Sequence, residues 1–493
     1  MSSSAHKEPR RRNGSKHDKR GCLTCRYRRK KCTDNNFPVC GTCSRLNLKC
    51  VRQDAKHVVP DAWAAEKGAN ILAVSTQPTI PPDSPPLAGG AGSVGVDSPQ
   101  KRQAMRYYIS VLTTHLTVSQ EFNSFLTAFL PMAMESTALF DVLLAFALRH
   151  LSLNDDSYKV AALEARSTAI QSLASAISTP SDQVADHETN AAACLGFVIY
   201  EVGVGDCRAW YTHLKGTQNI IKSTAARSGS KLLNGPEAFK HSTEGQWILR
   251  NYAYHDIVGS ITLRKTPLLR GDYLDGITEV VDSCVGVATG LLSIIARIGF
   301  LGEETMTKDP NSDDEILDKS RQLQSACAEI EQELLGWHCH RDASPGLAAL
   351  AYSYRAAALI VLYRLVRSRI ESSRRVALAP WGSEVGAMND IQAKIQEQVV
   401  KTLEHVSEIP VGSPPEGALL FPVFIAGGES VAQDHIDMVR SRLRLMARQR
   451  QFRNLWQARE VLEDLWDLRK TRPGVNADWS QILDASGQDL LLT

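Results

Sequence analysis

Beyond about residue 100 the apolar positions recur every three or four residues, the period of helices with one face turned inward. Ile436, Val439, Leu443 and Met446 keep this step, and Leu455, Leu462 and Trp466 continue it on a compatible face. The alanine-rich run Ala138 to Leu148 is a second helical segment. Short Gly, Pro and Ser breaks separate such segments, and no run alternates in the manner of a strand. The longest apolar stretches lie around Val285 to Leu301 and Ala348 to Leu365, interrupted by Arg297 and Arg355. Neither supplies the ~20 clean residues of a membrane span, so both read as buried helices and no membrane is expected. No repeat of fixed period is present. Residues 101–493 are therefore expected to form one large all-α domain with a sizeable core.

The first hundred residues lack this pattern. From 53 to 100 Pro, Gly, Ser and Ala dominate, as in Pro78-Thr79-Ile80-Pro81-Pro82, which predicts a flexible, partly extended linker. It holds no sustained heptads. Gly90-Ala91-Gly92-Ser93-Val94-Gly95 fits G-x-G-x-x-G, but prolines precede it and Asp97-Ser98-Pro99 follows. A dinucleotide site needs a strand before it and a helix after it, so these glycines read as linker. Residues 1–20 are polar and basic, without the apolar run of a secretory signal.

Charge divides the chain in the same place. The whole sequence has 56 Lys and Arg against 54 Asp and Glu, a net of +2. Residues 1–52 hold 15 against 3, a net of +12, leaving 41 against 51 in the rest, a net of −10. A small nucleic-acid module joined to a larger ordinary domain has this signature. Arg10, Arg11 and Arg12, with Lys16, Lys19 and Arg20, form a basic arm expected to be disordered. It suits phosphate contact, nuclear import or both.

Six cysteines follow the arm: Cys22, Cys25, Cys32, Cys40, Cys43 and Cys50. They are two copies of Cys-x2-Cys-x6-Cys, and Arg26-Tyr27-Arg28-Arg29-Lys30-Lys31 fills the first long gap. Structural zinc takes four ligands in a tetrahedron. Six thiolates complete two tetrahedra only if two of them bridge both metals, and the repeat points to Cys22 and Cys40. A disulfide framework or a redox dithiol fits less well, because neither a secretory start nor a thioredoxin-like strand–helix context is present. A span this short buries too little apolar surface to fold alone, and structural zinc supplies on the order of 10–16 kcal/mol in small fingers. Two Zn(II) ions per chain are therefore expected, in a structural role.

These residues resemble the fungal binuclear zinc cluster family of transcription factors. The likeness is carried by Gly21-Cys22-Leu23-Thr24-Cys25 through Cys32, and by Pro38-Val39-Cys40-Gly41-Thr42-Cys43. The resemblance implies two short helices around the metals, the first entering the major groove of double-stranded DNA at a CGG-type triplet. It assigns base contacts to Arg28 and Arg29, whose planar forks match guanine O6 and N7. Arg26, Lys30 and Lys31 are then left for phosphates or the cluster. Many members dimerise through a coiled coil directly after the cluster. That device is missing here, so a monomer and a homodimer formed through the large domain are both open.

The large domain is similar to the fungal-specific transcription factor domain of the second, arginine-regulator-like type. Trp210 to Gly216, Tyr252 to Ser260 and Leu420 to Gly427 carry the likeness. It implies a helical regulatory region that senses a signal or contacts the transcription machinery or co-regulators.

Other site-like features have plainer readings. Gly428-Glu429-Ser430-Val431-Ala432 mimics a nucleophile elbow but lacks the α/β context and a distant downstream His, and reads as a helix start behind two glycines. His338-Cys339-His340 reads as a surface loop or helix end. Cys194, Cys207, Cys284 and Cys327 read as buried thiols. The six arginines from Arg440 to Arg453 read as a solvated helix face with local ion pairs. His255-Asp256 reads as a helix-packing hydrogen bond rather than a charged sensor. Trp210, Trp247, Trp456 and Trp466 read as core. The sequence thus predicts four parts: a basic arm at 1–20, a zinc cluster at 21–52, a linker at 53–100 and a helical domain at 101–493. Together they describe a nuclear, non-enzymatic regulator of RNA polymerase II transcription. The rival is a zinc-stabilised protein-interaction module without specific DNA binding.

Overall fold

The computed structural model describes residues 40, 43, 98–205, 209–228, 231–304, 313–376, 385–472 and 477–493. The chain divides into two units, Met1–Gly89 and Gly90–Thr493. The basic arm, the Gly90–Gly95 run and the linker up to residue 97 lie outside the described residues.

In the second unit α1 (Pro99–Tyr107) starts two residues ahead of the expected boundary. Ser98 sets that start: its hydroxyl accepts the Lys101 N–H, and Pro99 occupies the first helical position, where no N–H is needed. A π-helical turn, Tyr108–Leu112, leads into α2 (Thr113–Leu116), and a second, Phe125–Phe129, into α3 (Leu130–Glu135). Next come α4 (Thr137–Leu151), α5 (Lys159–Ser178), α6 (Val184–Gly203) and α7 (Trp210–Ser223). One antiparallel hairpin follows, β1 (Ala225–Ser228) against β2 (Lys231–Asn234), with Ala225 opposite Asn234. It departs from the all-α expectation, because four residues per strand are too few to show alternation.

The rest is helical: α8 (Pro236–Phe239), α9 (Thr243–Leu263), α10 (Thr289–Glu304), α11 (Asp313–Gly336), α12 (Pro345–Val376), α13 (Val385–Glu408), α14 (Leu420–Glu429), α15 (Gln433–Arg450), α16 (Arg453–Thr471) and α17 (Trp479–Ser486). The expected periodic run from Ile436 to Trp466 is thus two helices. Gln451 takes a left-handed conformation (φ 56°) and ends α15, and Phe452 is the residue before α16.

Two helices form the centre. Along α9 nearly every residue from Gly245 to Thr262 is buried, so it has no polar stripe and packs against α6, α7 and α10. Ser242 caps it by accepting the Gly245 N–H at 2.8 Å. All ten residues of α14 are buried. Its Gly427 and Gly428 permit that: a Cβ on Gly427 would lie 2.8 Å from Val439 and 2.9 Å from Leu462, and one on Gly428 would lie 2.6 Å from Trp479. Among the described residues one segment, Pro345–Glu371 of α12, is long and apolar enough to cross a membrane, and 72% of its most apolar window is buried in the fold. It packs against α13, α14 and α10, as expected of a core helix.

The segment after α17 is stitched into the middle of the domain. Trp210 Nε1–H donates to the Asp489 carbonyl (2.8 Å), and the Thr262 hydroxyl donates to the Leu490 carbonyl (2.5 Å). Leu490, Leu491 and Leu492 are all buried.

Candidate metal centre and a polar cavity

Two of the six N-terminal cysteines, Cys40 and Cys43, are among the described residues. Both are fully buried, and the Cys43 backbone N–H donates to Cys40 Sγ at 3.4 Å. That N–H favours a charged sulfur, and two buried cysteines at Cys-x2-Cys spacing offer the donor chemistry that zinc takes. Cys22, Cys25, Cys32 and Cys50, with Arg26, Arg28, Arg29, Lys30 and Lys31, lie outside the described residues.

In the helical domain a cavity of about 60 Å³ opens where α2, α6, α9, the Pro414–Ala418 turn, the start of α16 and Thr493 meet. His115, Asn251, His255 and Asn454 line it. Asn251, Asn454 and His255 are each held by one side. Asn251 Nδ2 donates to Cys284 Sγ (3.0 Å), and Asn454 Nδ2 donates to the carbonyls of Leu491 (3.2 Å) and Thr493 (2.7 Å). His255 Nδ1 meets the Thr493 hydroxyl at 2.9 Å. The other polar atom of these three, namely Asn251 Oδ1, Asn454 Oδ1 and His255 Nε2, is buried with no protein partner, and so is His115 Nδ1. Leaving such an atom unpaired costs about 1–3 kcal/mol. Burial lowers both imidazoles, His255 to about 3 and His115 to about 4, the latter helped by the Arg450 guanidinium. Both rings are neutral at pH 7.

Arg450 and His150 brace the wall behind. Arg450 donates to the His115 carbonyl. His150 Nε2 faces the Arg450 carbonyl at 2.9 Å and must donate to it, since a carbonyl only accepts; Nδ1 then accepts the Tyr107 hydroxyl proton at 2.8 Å. The Phe452 ring packs edge-on against His115 and His150, at centroid distances of 6.2 and 5.6 Å.

Residues 103–493 match the family model described as the fungal specific transcription factor domain. The chain belongs to that family. Residues 20–57, which include all six cysteines, match the fungal Zn(2)-Cys(6) binuclear cluster domain. The chain is also similar to the transcriptional activator protein UGA3 of Saccharomyces cerevisiae, with 21% identity over 84% of this chain and 85% of the relative. No solved structure matches. A zinc-binding, DNA-binding module and a helical regulatory domain in one chain make this member of the family a DNA-binding transcription factor.

The remaining site-like residues of this transcription factor fall into place, with three corrections. Ser430 follows the two glycines at the end of α14, not at a helix start, and its buried hydroxyl donates to the Ala426 carbonyl at 2.8 Å. The arginine run is only partly a solvated face. Arg440 pairs outward with Glu463 (2.8 Å) and Asp437, as expected. Arg442 and Arg450 instead turn inward, Arg442 to the Ile409 carbonyl (2.7 Å) and Glu416. They share the buried face of α15 with Val439, Leu443 and Met446, where carbonyls at loop ends need donors. Trp456 is not core but 37% exposed, because α16 turns Leu455, Ala458 and Leu462 inward and leaves position 456 outside, where Arg459 lies over its ring.

Trp210, Trp247 and Trp466 are buried, as are Cys194, Cys284 and Cys327, while Cys207 lies outside the described residues. His338, Cys339 and His340 follow α11 in a surface loop, and no group of three or more His, Cys, Asp or Glu among the described residues is placed to hold a metal. His255 and Asp256 do not pair with each other. Asp256 accepts the N–H groups of Leu268 (2.9 Å) and Leu269 (3.1 Å), and burial raises its carboxyl to about 6. The sequence reading passed over His115, Asn251 and Asn454. For Asn251 the one available signal was a polar side chain within the largely apolar run of α9, and His115 and Asn454, on α2 and α16, carried none.

Proposed function

We propose that the protein is a nuclear regulator of RNA polymerase II transcription that reads a CGG-type triplet through Arg28 and Arg29. The doubled Cys-x2-Cys-x6-Cys repeat, with six basic or aromatic residues in its first long gap, carries this reading. All six cysteines hold two zinc ions, with Cys22 and Cys40 shared between them. The metals fix the helix that follows Cys25, so that two guanidinium forks meet guanine edges from a rigid support. Arg26, Lys30, Lys31 and the basic arm at 1–20 neutralise phosphates and set register. The cluster spans 21–52, the linker 53–100 and the regulatory domain 101–493, which meets co-regulators or the transcription machinery. The zinc is structural, and no reaction is catalysed.

Selection of duplexes from a random pool by the purified zinc-loaded protein tests this directly. The expected product is a G-rich triplet, CGG or its near variants. A single triplet per selected site means binding as a monomer, and two at fixed spacing mean a homodimer. A pool that shows no enriched triplet would overturn the reading.

A further inference from the structure

We propose that the cavity between α6, α9 and the start of α16 is a binding site for a small uncharged molecule rich in hydrogen-bond donors, such as a primary carboxamide. The wall defines the chemistry. Asn454 cannot turn its amide round, because its NH2 group is committed to two carbonyls that only accept. Its Oδ1 therefore stands as an acceptor without a donor, and the Asn251 side chain, resting on the Cys284 sulfur, also leaves its outer amide atom buried without a partner. His255 Nε2 and His115 Nδ1 add two imidazole nitrogens in the same lining, each able to accept from a ligand or to donate to one according to tautomer. Buried polar groups in folded proteins are normally satisfied, so four unsatisfied atoms on residues that line one cavity mark a place that a polar molecule completes.

Charge excludes the alternatives. An anion needs donors, and the fixed Asn454 oxygen repels it. No Asp or Glu side chain lines the cavity, and the Arg450 guanidinium just behind it disfavours a cation. Size narrows the choice further: about 60 Å³ has room for roughly five non-hydrogen atoms. The apolar part of the lining, including Leu116, Phe125, Ile199 and Phe452, suits a short carbon stub beside the donors. An open surface cleft of about 550 Å³, lined by Arg149, Leu153, Gln451 and Trp456, shares the lining residue Gly203 with the cavity. Gly203 packs closely there: a Cβ would stand 3.3 Å from the Phe452 ring.

The test uses the zinc-loaded full-length protein and three molecules of one shape: acetamide, acetate and acetamidinium. Ligand-observed saturation-transfer NMR, calibrated by titration, measures each. Acetamide is expected to bind saturably and at least tenfold more tightly than either ion. Asn251→Leu with Asn454→Leu, close in volume to the native pair, is expected to weaken acetamide at least tenfold while the thermal unfolding of the helices stays cooperative. Absence of saturable acetamide binding, or acetate binding as well as acetamide, overturns the proposal. So does a folded double variant that binds acetamide unchanged. Should the double variant fail to fold, the wild-type charge series decides alone. DNA binding is measured separately, so its failure and the failure of this site are distinguishable.

Discussion

Arg367 grips Glu429 with two prongs, Nη1 to Oε2 at 2.8 Å and Nη2 to Oε1 at 2.9 Å. Arg364, one helical turn earlier on α12, reaches the same carboxylate and also Asp478 at 2.7 Å. The Glu429 side chain is 3% exposed at the end of α14. Burial pushes its carboxyl up, but the two guanidiniums outweigh that and hold it below the ordinary carboxylate value. This contribution to stability is present above the unfolded carboxylate pKa and is lost as pH falls through the lower folded one. Arg367→Ala leaves the carboxylate half-neutralised in a dry site and is expected to cost about 3–5 kcal/mol in denaturant unfolding. A loss below about 1 kcal/mol would mean that Arg364 alone suffices.

The buried imidazoles set a second expectation. In the unfolded chain a His takes up its proton near 6.5, whereas in the fold His115 waits until about 4 and His255 until about 3. Stability therefore falls as pH drops from about 6.5 toward 4, by up to about 1.4 kcal/mol per pH unit for each ring. Asp256 acts in the opposite direction. Its carboxyl is protonated from about 6 in the fold but only near 3.8 when unfolded, so acidification between these values favours the fold and offsets one ring. Far-UV circular dichroism of urea unfolding at pH 7 and pH 5 should show the lower midpoint at pH 5. His255→Phe should shrink that difference, and an unchanged difference would contradict the assignment.

Metal counting separates shared from unshared ligands. Cys22→Ala or Cys40→Ala should release both zinc ions, and Cys25→Ala or Cys43→Ala should disturb one site first. Native mass spectrometry reads the stoichiometry. Retention of one full zinc equivalent in Cys40→Ala would show that this thiolate does not bridge.

For DNA, Arg29→Ala is expected to weaken specific binding by about 1–3 kcal/mol and to relax preference at one base. Lys31→Ala should weaken all sequences alike and reduce the salt slope by about one. Titrations against matched and mismatched duplexes at several salt concentrations distinguish the two. Equal loss on every duplex for Arg29→Ala would place it on the backbone.

The DNA-binding module was legible because metal ligation is written in spacing: six cysteines at repeated intervals leave few alternatives. Helical class was legible because period alone reveals it. The hairpin Ala225–Asn234 was not, since its strands are shorter than the window that alternation needs. Arg442 and Arg450 were misread for a different reason. Their partners are the carbonyls of Ile409 and His115, and a backbone oxygen leaves no trace in the residue letters. The cavity was hidden likewise, because its members lie up to 378 positions apart, from His115 to Thr493. Trp456 shows the limit of composition: an indole is usually interior, but one step around α16 moves it outside.

The ties from Trp210, Thr262 and Asn454 to Asp489–Thr493 bear on biosynthesis. A ribosome must extend the chain 279 residues past Trp210 before that indole can find its acceptor, so this part of the core is completed late in synthesis. Nonsense or frameshift products that stop short of Asp489 lack these acceptors and are expected to leave the Trp210, Thr262 and Asn454 donors unpaired in the core, lowering the stability of the helical domain.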